Sequence, residues 1–223
     1  MKKIKSFSFQ GVKGAYSEQA GTKLFLEAES IPCPTFEDMF DKVRAEEVDA
    51  AMVPIENSLA GRVADTQRLI PDSNLKITDE YFLEINHNLI GIKGSTISDI
   101  RRIHSHEQGI AQCRNKIIAL KKEMVVEADT AGSAKMIAET NNNEDAAIAS
   151  ELAAKIYDLE ILERNFQDSS NNVTRFLVMQ KELVDIDSSS NEVLTTLVFT
   201  VRSMPSALYK CLGGFASNGV NIT

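Results

Sequence analysis

Short runs rich in β-branched and aromatic residues alternate with amphipathic stretches along most of the chain, and that alternation constrains the fold more than any other feature. Candidate strands are Ile4–Phe9, Ala50–Pro54, Asn88–Ile92, Arg102–Ser105, Met124–Glu127, Ala146–Ala149, Arg175–Met179 and Thr195–Val201. Helical spacing recurs between them. Its clearest case is Phe36, Met39, Phe40 and Val43, at i, i+3, i+4 and i+7, with Thr35 placed as a cap and Asp38 three residues on. This order of elements predicts an α/β fold with parallel sheets and crossover helices.

The 223 residues can bury a sizeable core, as one large domain or two modest ones. The hydrophobic share of 43% and charged share of 25% are those of an ordinary globular protein. A formal net charge of −8 argues against a nucleic-acid partner, since neutralising phosphates needs a basic face. The expected partner is a small molecule, and an anionic one needs local donors that overcome the overall field. No run reaches the roughly 18 apolar residues of a membrane helix, so no membrane partner is expected. Cys33, Cys113 and Cys211 are odd in number, widely spaced and without a C-x-x-C pair, as suits free thiols in a reducing compartment. The start, Met1-Lys2-Lys3-Ile4-Lys5, is basic, but the apolar stretch after it is too short for a secretory signal. A cytoplasmic location is expected.

Residues 1–182 read as one α/β domain and 183–193 as a linker, because Leu183–Glu192 is acidic and serine-rich. Residues 194–223 then offer a strand, a helix over Ser206–Ala216, and the beginning of another strand at Val220-Asn221-Ile222-Thr223. So few residues do not normally form an independent domain, and the C-terminal unit reads as cut short.

Five junctions at strand ends carry unusual polar density. In open α/β sheets ligands collect beyond the carboxyl ends of strands, where helix N-termini present unpaired N–H groups. The first junction, Gln10-Gly11-Val12-Lys13-Gly14-Ala15-Tyr16-Ser17, has two glycines for a tight turn, yet alone it is an ordinary loop. In the second, Pro54-Ile55-Glu56-Asn57-Ser58-Leu59-Ala60-Gly61-Arg62, Asn57 or Ser58 is placed to cap a helix running to Ile70. Capping needs one such residue; three polar ones stand together. The third runs from His104 to Cys113 and sets residues 105, 108 and 112 on one helical face. His104 and His106 hint at a metal, but without a third nearby ligand none is expected, and His87 is read as a strand-edge residue. The fourth is Asp129-Thr130-Ala131-Gly132-Ser133-Ala134. The fifth, Asn172-Val173-Thr174-Arg175-Phe176, opens into the apolar run Leu177-Val178-Met179. Asn172-Val173-Thr174 also fits a glycosylation acceptor, which a cytoplasmic location removes. Together the five describe a cleft with many hydrogen-bond donors, suited to a small polyanion. There is no Gly-rich dinucleotide fingerprint, P-loop or G-x-S-x-G elbow, and no cofactor is expected.

Over nearly its whole length the chain resembles the prephenate dehydratase family, in its bacterial type. The resemblance is carried by Gly14–Ser17, by Val53–Ser58 with Gly61, by Ser105-His106 with Gln108 and Gln112-Cys113, by Asp129–Ala134, and by Ala146–Ser150 through to Asn172–Phe176. It implies a two-lobed catalytic domain like a type II periplasmic binding protein, with a central cleft. The first lobe would comprise about residues 1–79 and 166–182, and the second about 80–165. It also implies the start of a ferredoxin-like α+β ACT domain at 194–223, with Ala207, Leu208 and Asn221 at a phenylalanine site. Phenylalanine would then be an allosteric inhibitor, and the complete protein a homodimer or homotetramer. Departures from the family pattern are the missing proline in Gln10–Gly14, Glu107 and Gly109 at common proline or alanine positions, and Ser206 where glycine is usual.

The implied reaction converts prephenate to phenylpyruvate, water and carbon dioxide without a cofactor. On the resemblance, Thr174 is the catalytic hydroxyl acting on the departing ring hydroxyl. Asn57, Ser105, Gln112, Arg175, Glu56, Ser58 and Thr130 are substrate-binding, with Arg175 suited to the side-chain carboxylate. Alternatives are an arogenate dehydratase, which uses the same cleft, and a small-anion solute-binding protein with similar lobes.

Overall fold

Strand and helix alternate as expected, and they build two sheets, as the two-lobed expectation requires. The computed structural model describes residues 3–183, 195–197 and 199–222. In chain order the elements are β1 (Ser6–Gln10), α1 (Tyr16–Leu24), β2 (Glu29–Cys33), α2 (Phe36–Arg44), β3 (Ala50–Asn57), β4 (Gly61–Arg62), α3 (Ala64–Leu69), β5 (Lys76–Glu84) and β6 (Asn88–Gly91). Next come β7 (Arg102–His106), α4 (Glu107–Gln112), α5 (Arg114–Leu120), β8 (Glu123–Glu127), α6 (Thr130–Thr140), β9 (Asp145–Ala149), α7 (Glu151–Ile156), β10 (Glu160–Glu163), β11 (Val173–Gln180) and α8 (Ala207–Ser217). The first sheet has the order β2-β1-β3-β11-β5, with β4 paired to β3; the second has the order β10-β6-β9-β7-β8.

Each sheet is the middle layer of its own lobe. One face of the first buries Phe7, Phe9 and Met52 against α1. Its other face buries Ala51, Val53 and Leu177 against Met39, Phe40 and Val43 of α2. Full burial of such side chains stabilises by about 1.5–3 kcal/mol each. Thr35 caps α2 as the sequence indicates, its Oγ1 accepting from the Asp38 N–H at 3.0 Å. Gly21 in α1 leaves room for the Phe7 ring, which a Cβ would meet at 2.2 Å. The second sheet packs Ile103, Ile110 and Ile117 on one side and Ala134, Ile137 and Ala153 on the other.

The sheets are mixed, not parallel. β1–β2, β1–β3, β7–β8 and β7–β9 are parallel, whereas β11 runs antiparallel to β3 and β5, and β6 antiparallel to β9 and β10. The cause is the double crossing. β6 and β11 each enter a lobe from the other one, so they start at the cleft, where β3, β5 and β9 end. β5 holds the chain in the first sheet through Glu84, past the expected crossing near residue 80. This edge strand is mostly exposed or half-buried along its length, so it lacks the apolar signal of a buried strand. The two crossings are bonded to each other: Ile85 N–H to the Asn172 carbonyl at 2.8 Å, and Phe166 N–H to the His87 carbonyl at 2.7 Å.

Residues 1–185 form one compact unit and 186–223 a second. Apart from Leu183, the expected linker at 183–193 lies outside the described residues. In the second unit the helix expected at Ser206–Ala216 is present as α8, with Ala207 and Leu208 in its first turn and Asn221 beyond its end. The strand expected at Thr195–Val201 is not formed by its described residues, for which no pairing partner is described. No helix of the described residues is long and apolar enough to cross a membrane.

Candidate active site

A cavity of about 240 Å³ lies between the lobes, where all five polar junctions meet. The loop before α1 supplies Gly11 and Ala15, and the first turn of α1 Tyr16 and Ser17; the start of α6 supplies Asp129 and Thr130. From the sheet ends come Asn57 of β3 and Thr174 of β11, and from the second lobe Gln108 and Gln112. Val63, Ile85 and Phe176 give it an apolar wall. Gly14 brings the lobes close. At φ +89° a side chain is strained, and a Cβ there would lie 2.7 Å from Ala153. Ser150 and Tyr157 of the second lobe hold this loop through hydrogen bonds to the Gly14 and Lys13 carbonyls at 2.6 and 2.8 Å.

Asn57 sits in a hairpin, not at a helix cap. β3 passes Pro54 through a bulge around Ile55, so Pro54 and Asn57 both face the cavity, and β4 pairs back on it. The expected cap role falls away: α3 begins after Val63 without a side-chain cap. The Asn57 Oδ1 accepts instead from the Leu59 and Ala60 N–H groups at 3.0 and 2.8 Å. Its Nδ2 therefore points the other way, donating to Thr174 Oγ1 at 2.9 Å and to Asn172 Oδ1 at 2.7 Å. Asn172 Nδ2 donates to Gln112 Oε1 at 2.7 Å, and His87 Nε2 lies 2.7 Å from the same oxygen. The other ring nitrogen, His87 Nδ1, is 2.8 Å from the Tyr16 hydroxyl.

Thr174 is left with a spare proton. Its oxygen accepts from Asn57, it lines the cavity, and no acceptor for its own O–H occurs among the described residues. Burial raises the Tyr16 phenol well above its ordinary value, with Cys113 adding to the effect. Burial likewise lowers the His87 imidazole, against a smaller contribution from the Gln112 bond. Burial, then Asp168, push the Cys113 thiol up to about 12, with Lys116 opposing. Near neutral pH the site is an uncharged network of amide, phenol, imidazole and hydroxyl groups. Among the described lining residues none is Lys or Arg, and Asp129 is the one carboxylate.

Four of the expected binding residues lie elsewhere. Strand alternation turns Arg175 to the opposite face from Thr174. There its guanidinium meets Glu80 at 2.7 Å and Glu56 at 3.1 Å and covers the Phe82 ring at 5.9 Å. Glu56 faces outward with it. Neither lines the cavity, so the guanidinium is engaged with two carboxylates rather than open to a substrate. Ser105 is fully buried within β7, and its hydroxyl is used by the Ile148 carbonyl at 2.8 Å. It lies on the strand and not on the helical face with 108 and 112. Ser58 holds the hairpin to the Asn171 carbonyl at 2.8 Å and to the Val173 N–H at 2.9 Å. His104 joins Asp145 and Glu127 rather than His106. Conversely, Tyr16, His87 and Asn172 join the network without having been assigned a part in it.

The prephenate dehydratase family model matches residues 7–183. The chain belongs to the prephenate dehydratase family. It is similar to a bifunctional N-acyl-homoserine lactone acylase/prephenate dehydratase of Komagataeibacter europaeus, 44% identical over 97% of this chain and 77% of that one. Arogenate dehydratase/prephenate dehydratase 2 of Arabidopsis thaliana is 42% identical over 97% of this chain and 56% of its own length. The chain thus spans about half the length of that plant relative. The crystal structure of a prephenate dehydratase in complex with L-Phe from Arthrobacter aurescens superposes with a TM-score of 0.85 at 31% identity, covering 98% of this chain and 74% of that one. The family's reaction class is that of a hydro-lyase.

Proposed function

We propose that this chain converts prephenate to phenylpyruvate, water and carbon dioxide, with Thr174 as the group acting on the leaving hydroxyl. The observation that carries the assignment is the spare Thr174 proton, facing a cavity while the oxygen's lone pair is engaged by Asn57. A threonine hydroxyl is a poor full acid. It serves here as a preorganised donor whose hydrogen bond strengthens as the departing oxygen gains charge. The oxygen leaves as water after taking a proton that solvent finally supplies.

The substrate is a dianion, yet the lining supplies no cationic side chain among the described residues. The first turns of α1 and α6 reach the cavity; those N–H groups lack intrahelical acceptors, and at α6 the Asp129 side chain takes only that of Gly132. They suit the carboxylates, with Thr130 and Gln112 adding neutral donors. Neutrality also suits the chemistry. The ring carboxylate must lose its charge as carbon dioxide, and a cation fixed on it would stabilise the ground state more than the transition state. Purified protein incubated with prephenate should form phenylpyruvate; binding without product would favour a solute-binding role instead.

One observation favours a second substrate. Asp129 is the one carboxylate among the described lining residues, and it would suit the ammonium group that arogenate carries where prephenate has a keto group. Comparing kcat/KM on both substrates, and again in Asp129→Asn, separates the two; a preference for arogenate that Asp129→Asn abolishes would assign that role. Phenylalanine control through Ala207, Leu208 and Asn221, assembly as a dimer or tetramer, and a cytoplasmic location are further parts of the proposal. The L-Phe complex of the Arthrobacter aurescens relative supports the first of these, and calorimetry with phenylalanine tests it.

A further inference from the structure

We propose that His87 is a positioning residue: its Nε2–H pins the Gln112 amide and so holds the hydrogen-bond relay in the direction set by the hairpin, which leaves the Thr174 proton free for substrate. The inference rests on the role given to Thr174 above. It draws on geometry that no step of the reaction uses, a buried imidazole held at both ring nitrogens.

The relay has two possible polarities, and only one fits its fixed end. Asn57 Oδ1 is held by two backbone N–H groups, so Asn57 Nδ2 must face Asn172 and Thr174. Asn172 then presents Oδ1 to Asn57 and Nδ2 to Gln112. Gln112 must answer with Oε1, and an imidazole nitrogen 2.7 Å from that oxygen has to carry the proton. His87 is thereby the Nε2–H tautomer, with Nδ1 accepting from the Tyr16 hydroxyl. The lowered basicity of the buried ring agrees with a neutral imidazole.

The reverse polarity is available at the other end. Tyr16 can turn its proton to the Asn86 carbonyl, 3.2 Å away, and accept from a His87 Nδ1–H. His87 Nε2 would then accept from a rotated Gln112 amide, whose nitrogen would also face Asn172. Asn172 would have to present Oδ1 to it and set its Nδ2 against Asn57 Nδ2. Two donors would meet, and Asn57 would move off Thr174 or give up its backbone bonds. The relay is thus fixed at two anchors, the hairpin N–H groups and the imidazole. Without the second, Gln112 is free to rotate and the Asn57–Thr174 contact loosens.

Nitrogen NMR of the imidazole and steady-state kinetics on prephenate test the proposal together. In the intact chain the His87 proton should reside on Nε2. Asn57→Asp puts an acceptor where Nδ2 stands, so it should reverse the relay and move the His87 proton to Nδ1, three side chains from the change. His87→Leu should lower kcat roughly 10- to 100-fold through a misplaced donor, with KM within about threefold. His87→Gln should recover most of that loss, since its amide N–H can replace Nε2–H. In a Thr174→Ala background His87→Leu should cost nothing further, because both act through one group. Should His87→Leu fail to fold, Tyr16→Phe releases the tautomer more gently and should also lower kcat. An Nδ1–H tautomer in the intact chain, or full additivity with Thr174→Ala, would overturn the proposal. A harmless Thr174→Ala would instead overturn the role of Thr174 and leave the tautomer result standing.

Discussion

The two faces of the first sheet at the cleft are built from neighbouring residues and have opposite characters. On the inner face Asn57 and Thr174 join Asn172 in an uncharged network with a spare proton. On the outer face, one residue away on each strand, Glu56 and Arg175 meet with Glu80 in a charged cluster. The register places Thr174 opposite Asn57 and Arg175 opposite Glu56, so the sheet sorts polar residues by face. The lesson is that charge was sent to the side where it is compensated and solvated. The cavity was left with donors that strengthen only as negative charge develops.

Breaking the inner face should have the largest effect. Thr174→Ala removes the preorganised donor, and kcat on prephenate should fall about 10²–10³-fold with substrate binding retained; wild-type turnover would remove the residue from the reaction. Asn57→Leu comes next. It strips the polarising donor from Thr174 and leaves the Leu59 and Ala60 N–H groups without their acceptor. Turnover should fall at least about tenfold, and unfolding by denaturant should show a loss of about 1–3 kcal/mol.

The pH dependence sharpens the contrast further. Burial holds His87 below its ordinary 6.5, so the unfolded chain takes up a proton there while the folded chain stays neutral. Stability present above pH 6.5 is lost as pH falls through the folded value, at no more than about 1.4 kcal/mol per pH unit from this one group. His87→Gln should remove that component from a denaturation series; an unchanged slope would show that His87 does not carry it. Arg175→Leu should show the smallest effect. The outer cluster is part-exposed, so the loss of stability should be about 1 kcal/mol, and KM for prephenate should stay within about threefold. A large rise in KM would return Arg175 to the substrate.

Much of this was legible in the sequence. Seven of the eight candidate strands exist, and the capped helix at Phe36–Arg44 follows directly from apolar spacing and Thr35. The polar junctions meet because βα loops, the β3–β4 hairpin and the start of β11 all lie at the cleft ends of the sheets. Three things were hidden. Thr174 and Arg175 looked like partners in one site because they are adjacent, although strand alternation sends them to opposite faces. Pro54 looked like the end of a strand, whereas a bulge carries β3 on to Asn57. His87 and Tyr16 are 71 positions apart, and nothing local signals that the double crossing brings their side chains together.

The most direct measurement is the turnover of prephenate by two single variants of adjacent residues, Thr174→Val and Arg175→Leu. Valine keeps the shape of threonine and removes only the hydroxyl. Chemistry confined to the inner face predicts a kcat about 100-fold or more lower in Thr174→Val than in Arg175→Leu, which should stay near wild type. Comparable losses in the two, or a larger one in Arg175→Leu, would contradict it.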